Sequence, residues 1–250
     1  MSLLGVQRRG SGPLLVWLHG FTQTKDSAHQ FRSILAGTNE LLTLDLPGHG
    51  ENAAILASLD ETADLLAEVL PDERFSLGGY SFGARVALHF ALRYPSRVNQ
   101  MVVLGATRGI EDDAERDERR RSDDALAQRV EAIGAEAFLD EWLAREMFAS
   151  LPKDPLERAA RSTDAAGLAG SLRLAGTGTQ RWLAPDLTSL PVPTLALAGA
   201  LDPKFSLEAT AIAGAVVDGR AAFVPDAHHA AHLEQPESCA AQVGDFTRPL

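Results

Sequence analysis

The 250 residues contain a single cysteine, Cys239, so there can be no intramolecular disulfide and no cysteine-based zinc site. No apolar run approaches ~18 residues, which excludes a helix that spans a bilayer. Positive charge is in deficit: 23 Lys and Arg stand against 34 Asp and Glu, a net charge of −11. Such a surface repels phosphate backbones and anionic headgroups, so general nucleic-acid or membrane binding is not expected. There is no internal repeat, and the charge-dense run from Glu111 to Asp124 mixes both signs rather than forming a tail. The stretch from Met1 to Gly12 places Arg8 and Arg9 after only a few apolar residues, unlike a signal peptide, so the expected location is cytoplasmic. What remains is an ordinary globular composition, 45% hydrophobic and 23% charged, enough for one large core.

Short apolar runs alternate with amphipathic stretches through the first part of the chain. Leu14 to Leu18, bounded by Gly12-Pro13 and His19-Gly20, has the length and punctuation of a buried strand. Leu41 to Leu46, Phe75 to Leu77 and Met101 to Leu104 follow the same pattern. Between them, Leu59, Ala63, Leu66 and Leu70 keep a helical period, as do Val86, Ala87, Phe90 and Ala91 before Pro95. This alternation predicts the α/β class, with a mostly parallel sheet covered on both faces. From Arg108 to about Leu190 the alternation lapses. Charged and alanine-rich helical stretches take over, with Leu126, Val130, Ile133, Phe138, Trp142, Leu143 and Phe148 as an apolar stripe. Strand character returns at Thr194 to Ala198 and Ala221 to Val224, and Pro236 to Phe246 reads as a closing helix. The expected organisation is a core of residues 1–107 and 191–250, interrupted by a helical cap over 108–190.

Gly79-Tyr80-Ser81-Phe82-Gly83 is a G-x-S-x-G string set between an apolar run and a helix, the strand–turn–helix context of a nucleophile elbow. Its serine needs a histidine to take its proton and a carboxylate to orient that histidine. In this arrangement the chain order is Ser, then acid, then His. Asp202 follows the run Thr194–Ala198 at the end where open α/β sheets place their sites, although it also suits a turn before Pro203. His229 follows Ala221–Val224. Spacing alone does not separate it from His228, and His232 lies nearby. Asp226 is the rival acid, too close in sequence to the histidines to project easily from a separate strand end. His19-Gly20-Phe21 ends the first strong strand, in position for the Phe21 N–H to complete an oxyanion hole with the Phe82 N–H. His49, in Asp45-Leu46-Pro47-Gly48-His49-Gly50, reads as structural.

These segments, with Leu233-Glu234-Gln235-Pro236, together resemble the α/β-hydrolase superfamily. The insert narrows the resemblance. Arg119-Arg120-Arg121-Ser122-Asp123, Phe138 to Trp142, Met147 to Ser150, Arg161, Gly167 to Gln180 and Asp202 to Phe205 are similar to the 2-succinyl-6-hydroxy-2,4-cyclohexadiene-1-carboxylate synthases of menaquinone biosynthesis, the MenH type. The resemblance implies a lyase that eliminates pyruvate from an enolpyruvyl cyclohexene dicarboxylate, with Ser81 abstracting a ring proton assisted by His229 and Asp202. It implies that Tyr80, Arg85, Arg119, Trp142 and Arg161 bind carboxylates or shape the pocket, and it implies no metal or organic cofactor. Three positions depart from the family pattern: Ala84 and His228 stand where glycine is usual, and Arg145-Glu146 replaces a polar–proline pair.

The charges fit independently. A small-molecule polycarboxylate needs guanidinium forks, and Arg85 lies one helical turn beyond Ser81 on the same side. The alternative is a carboxylesterase or C–C bond hydrolase with Ser81 as acyl nucleophile, which needs the triad but not the arginines. A non-catalytic binding relative would need neither. Oligomeric state is open at this level, because the insert's apolar stripe could pack on the core or on a second chain.

Overall fold

The computed structural model describes residues 5–248. The chain runs β1 (Gln7–Arg9), β2 (Leu14–Leu18), α1 (His29–Ala36), β3 (Glu40–Thr43), α2 (Leu59–Val69), β4 (Phe75–Tyr80), α3 (Phe82–Arg93) and β5 (Val98–Leu104). Four helices follow without an intervening strand: α4 (Asp113–Leu143), α5 (Pro155–Ala159), α6 (Ala165–Ala175) and α7 (Ala184–Leu187). The chain closes with β6 (Thr194–Gly199), α8 (Pro203–Ala215), β7 (Gly219–Val224), α9 (Ala231–Glu234) and α10 (Pro236–Thr247). The seven strands form one sheet in the order β1-β3-β2-β4-β5-β6-β7, parallel except for β1 against β3. This is the expected α/β class.

The apolar runs follow from burial on both faces. In β2, Val16 and Leu18 join one core cluster, while Leu15 and Trp17 join the cluster on the opposite face. A strand covered on both sides has no polar alternation to show. Three strand expectations need correction, and one is that β3 ends at Thr43 instead of running to Leu46. β1 carries the sequence Gln-Arg-Arg and has no apolar signal, because it pairs only at the sheet edge. β4 runs through Gly78 and Gly79 instead of ending at Leu77. A Cβ on Gly78 would lie 2.5 Å from the Trp17 ring, so here glycine serves close packing rather than a turn.

The stretch between β5 and β6 packs through its own apolar cluster, in which Val130 and Phe138 of α4 meet Leu168 and Leu172 of α6. α4 is broken at Gly134, whose φ of 79° and ψ of 162° are non-helical. A Cβ there would touch nothing, so the backbone conformation and not space calls for glycine. No helix among the described residues is long and apolar enough to cross a membrane.

β2 pairs on one side with β3, which follows it in the chain, and on the other with β4. The winding direction reverses there, and loops beyond the carboxyl ends of such strands form a crevice. Phe21, Ser81, Asp202 and His229 all come from the loops that leave β2, β4, β6 and β7.

Candidate active site

Ser81 occupies the turn between β4 and α3 with φ 50° and ψ −102°. A non-glycine residue held there costs roughly 1–3 kcal/mol, which the surrounding packing must offset. Its N–H donates to Leu104 O at 2.8 Å, which anchors the turn to β5. Gly83 permits the bend, since a Cβ there would fall 2.3 Å from Leu18 O. The first N–H groups of α3 lack helical partners, so Phe82 N–H is free to meet negative charge. No hydrogen bond among the described residues takes up Phe21 N–H, and both phenylalanines line the same cavity as Ser81.

Of the three nearby histidines, His229 is the one brought to Ser81, with Nε2 3.1 Å from Oγ. Asp202 Oδ2 lies 3.4 Å from Nδ1 of His229, within ion-pair range but outside good hydrogen-bond geometry. Such contacts commonly tighten when substrate is in place. Asp202 caps α8 as well, accepting Phe205 N–H at 3.1 Å through Oδ1, so the turn role and the partner role coexist. Burial raises its pKa, but the neighbouring His229 and the N–H bond from Phe205 outweigh that and leave it below the ordinary aspartate value. Asp226 sits in a left-handed turn and forms no ion pair with a described residue. His232 is buried behind Tyr80, ring centroids 4.1 Å apart, and its Nε2 meets Gln23 Nε2 at 3.2 Å. Tyr80 thus stands between His229 and His232, and burial drives its phenol pKa upward.

His228 instead joins Ser150 and Glu234. The Glu234 carboxylate accepts the N–H groups of His228 (2.9 Å) and Ala230 (3.1 Å), the two neighbours of His229. It also accepts Ser150 Oγ–H at 2.6 Å, so the helical stretch is tied to the histidine loop. Beneath the Phe21 loop lie two further buried histidines. His19 Nε2 accepts Leu46 N–H at 2.9 Å, and His49 Nε2 accepts Thr22 N–H at 3.2 Å. Each Nδ1 donates to a carbonyl, of Gly20 and Pro47 respectively, so both rings are neutral with every nitrogen committed. His49 also stacks on Phe82. The structural reading of His49 fits this contact set. The roles of His19 and Glu234 were not legible, because one lone histidine and one lone glutamate give no periodic or spacing signal.

The cavity over Ser81 has a volume of about 1210 Å³ and is lined by Tyr80, Arg85, Arg119 and Trp142 among others. Arg85 is buried and donates to Ala175 O at 2.8 Å, yet no carboxylate of a described residue pairs with it. Burial, reinforced by Arg119 and opposed by Asp123, lowers its pKa to about 10, so it stays charged at neutral pH. Arg119 is held by Asp123 at 2.8 Å. Arg161, expected to act with these four, is not among the residues that line this cavity. It lines a neighbouring cavity of about 600 Å³, donates to Thr22 Oγ1 at 2.7 Å and lies 3.5 Å from buried Glu157. Glu157 gives this buried guanidinium an acid partner, and Phe148 lines both cavities. Sequence reasoning also passed over Arg145 and Lys204 as lining residues of the main cavity. Among the described residues no cluster of His, Cys, Asp or Glu is placed to hold a metal ion.

A model of the alpha/beta hydrolase family matches residues 15–242. Within that class, the chain is 34% identical over 250 residues to the 2-succinyl-6-hydroxy-2,4-cyclohexadiene-1-carboxylate synthase of Serratia proteamaculans, covering 96% of this chain and 95% of that one. It is 31% identical to the enzyme of that name from Enterobacter sp. strain 638, covering 99% and 97%. The structure of MenH from S. aureus superposes with a TM-score of 0.90 at 29% identity, over 98% of each chain. A thermophilic esterase from Thermogutta terrifontis shares the fold at 23% identity and a TM-score of 0.81, over 97% of this chain and 92% of that one. The chain belongs to the alpha/beta hydrolase family and, within it, to the family of 2-succinyl-6-hydroxy-2,4-cyclohexadiene-1-carboxylate synthases.

Proposed function

We propose that the protein is a carbon–oxygen lyase of menaquinone biosynthesis. It converts 2-succinyl-5-enolpyruvyl-6-hydroxy-3-cyclohexene-1-carboxylate to 2-succinyl-6-hydroxy-2,4-cyclohexadiene-1-carboxylate and pyruvate. The ring proton lost lies beside the succinyl ketone, so its removal develops an enolate oxygen. Ser81 Oγ takes that proton as its own passes to His229 Nε2, and Asp202 stabilises the imidazolium. The Phe21 and Phe82 N–H groups hold the enolate oxygen, worth typically several kcal/mol at the transition state. Collapse of the enolate shifts the ring double bond and breaks the C5–O bond. The departing enolate takes up the proton held by His229 and the resulting enol tautomerises to pyruvate. No water is consumed.

The observation that carries this reading is Arg85: a buried guanidinium one turn from Ser81, lining the cavity, with no carboxylate partner among the described residues. An ester hydrolase has no use for it, whereas a substrate with three carboxylates does. Arg119 assists, Tyr80 and Trp142 shape the walls, and the helices between β5 and β6 act as the cap. The substrate enters as a free small molecule in the cytoplasm, without cofactor. The test supplies the enolpyruvyl substrate and follows pyruvate release by coupled NADH oxidation. Turnover that Arg85→Ala weakens is expected. Folded protein with no release above background would end this reading. The hydrolase alternative draws on the same Ser81–His229 contact. Fast p-nitrophenyl ester turnover indifferent to Arg85→Ala would favour it.

A further inference from the structure

We infer that Gln23 is the positioning residue of the oxyanion hole: it grips Gly20 on both sides and so sets the direction of the Phe21 N–H. The inference rests on the reading above, in which the Phe21 and Phe82 N–H groups hold the enolate oxygen. The Phe82 N–H needs no such help, because it opens helix α3 and the helix fixes it. The Phe21 N–H lies in the loop beyond β2, where neither helix nor strand orients it.

The grip has two parts. The Gln23 backbone N–H donates to Gly20 O at 3.1 Å, and His19 Nδ1 donates to the same oxygen at 2.9 Å. That carbonyl and the Phe21 N–H belong to one planar trans peptide unit and point in opposite directions, so a fixed Gly20 O fixes the Phe21 N–H. On the other side of Gly20, Gln23 Oε1 accepts the Gly20 N–H at 2.9 Å, the one hydrogen bond this N–H makes with a described residue. With both peptide units of Gly20 held, its two backbone torsions are no longer free. The turn needs this bracing, because Thr22 sits at φ 69°, in the left-handed region that branched residues avoid. The approach is close: a Cβ on Gly20 would lie 3.1 Å from Gln23 Oε1 and 2.5 Å from the Tyr80 ring.

The far end of the side chain is anchored to two other elements. With Oε1 given to Gly20, Nε2 is left to donate, and it meets Glu157 Oε1 of α5 at 3.3 Å and His232 Nε2 of α9 at 3.2 Å. Glu157 is held in turn by the Ala28 N–H at 2.6 Å, and His232 follows His229 within the same short segment. Gln23 is 2% exposed, so water does not stand in for these bonds. One buried amide therefore links the oxyanion turn to the segment that carries the proton acceptor. The remaining bonds to the turn, from the Ser162 N–H to Thr22 O at 2.8 Å and from Arg161 to Thr22 Oγ1 at 2.7 Å, hold Thr22 and leave the Gly20 N–H to Gln23.

The test compares wild type with Gln23→Met, which keeps the length and loses every side-chain hydrogen bond, and with Gln23→Glu, which keeps an oxygen for the Gly20 N–H. Gln23→Met should lower kcat for pyruvate release about ten- to a hundredfold, less than the outright loss of an oxyanion donor. KM, and the calorimetric affinity for citrate, a small tricarboxylate probe, should stay within about threefold, since the guanidiniums are untouched. Gln23→Glu should retain at least about threefold more kcat than Gln23→Met. Amide hydrogen exchange at Gly20, followed by NMR, should be at least about tenfold faster in Gln23→Met than in wild type. A Gln23→Met kcat within twofold of an active wild type, even with a lowered thermal midpoint, overturns the assignment and leaves the lyase reading intact. Equal impairment of the two variants overturns it as well. If Gln23→Met does not fold, exchange in wild type decides: a Gly20 amide that exchanges as fast as in an unstructured peptide overturns the grip, and a protected one upholds it. If wild type releases no pyruvate, the lyase reading fails. The grip then stands on faster Gly20 exchange in Gln23→Met and falls if exchange is unchanged.

Discussion

The carboxyl-end rim of the sheet, called the sheet edge below, and the helical stretch above it hold their functional groups by opposite means. Ser81, Asp202 and His229 are fixed by backbone: a strained turn, a helix cap and a loop clipped on both sides by Glu234. Arg119 and Trp142 lie on one long helix, placed by side-chain contacts with Asp123 and with aromatic rings. Groups that must meet reacting atoms need sub-ångström placement, which backbone supplies. Groups that grip flexible carboxylate arms tolerate more play. The comparison teaches that changes at the sheet edge should act on kcat and changes in the helical stretch on KM.

The largest expected effect tests the first half of that statement. Ser81→Ala removes the proton-accepting oxygen and leaves the cavity and its guanidiniums in place. We expect kcat for pyruvate release to fall by about three orders of magnitude or more while citrate affinity stays within threefold. Steady-state kinetics and calorimetry check this. A loss confined to KM would break the division between the two regions.

The same division explains what was readable in advance. The serine turn, the strand-end acid and histidine and the Phe21 and Phe82 N–H groups proposed for the oxyanion hole sit where a strand meets its loop, a junction that Gly and Pro punctuate. The choice between His228 and His229 was not readable, because adjacent residues on a loop point in directions that depend on how the loop is tied down. Glu234 does the tying, six residues from His228. Which cavity Arg161 lines was hidden for a related reason. A guanidinium's reach is set by its partner, and Glu157 lies one turn earlier on α5, where spacing does not say which cavity the pair faces. β1 stayed hidden because an edge strand of Gln-Arg-Arg has no apolar pattern.

Arg85 and Arg161 sharpen the comparison at the next level. Both are buried arginines near Tyr80, and only Arg85 lines the main cavity. Arg85→Ala should raise KM by about 10- to 100-fold, the size of one lost charge-assisted contact, with little change in stability. Arg161→Ala should do the reverse. It leaves the Glu157 carboxylate buried with only the Ala28 N–H and Gln23 amide for company. A loss on the order of 2–3 kcal/mol in a urea titration is expected, with KM nearly unchanged. A KM effect of Arg161→Ala equal to that of Arg85→Ala would restore it to the binding set.

The smallest effect concerns the ground beneath the sheet-edge groups. His19, His49 and His232 are held below the ordinary imidazole pKa, in each case chiefly by burial. His49, further disfavoured by His19, falls to about 3. A protonated His49 would lose its acceptor bond from Thr22 N–H, so the neutral form belongs to the folded state. Its folded pKa lies below its unfolded value, so between the two the unfolded chain binds more protons and stability rises with pH. The contribution is fully present above an unfolded pKa of about 6.5 and fades as pH falls toward 3. Going from pH 7 to pH 5 should cost on the order of 2 kcal/mol from His49 alone. His49→Gln, a neutral substitute whose amide oxygen can accept the Thr22 N–H, should lower stability at pH 7 yet flatten its decline below that pH. Urea midpoints at pH 7, 6 and 5 read this directly. Parallel declines in wild type and His49→Gln would mean that the oxyanion loop does not rest on a neutral imidazole.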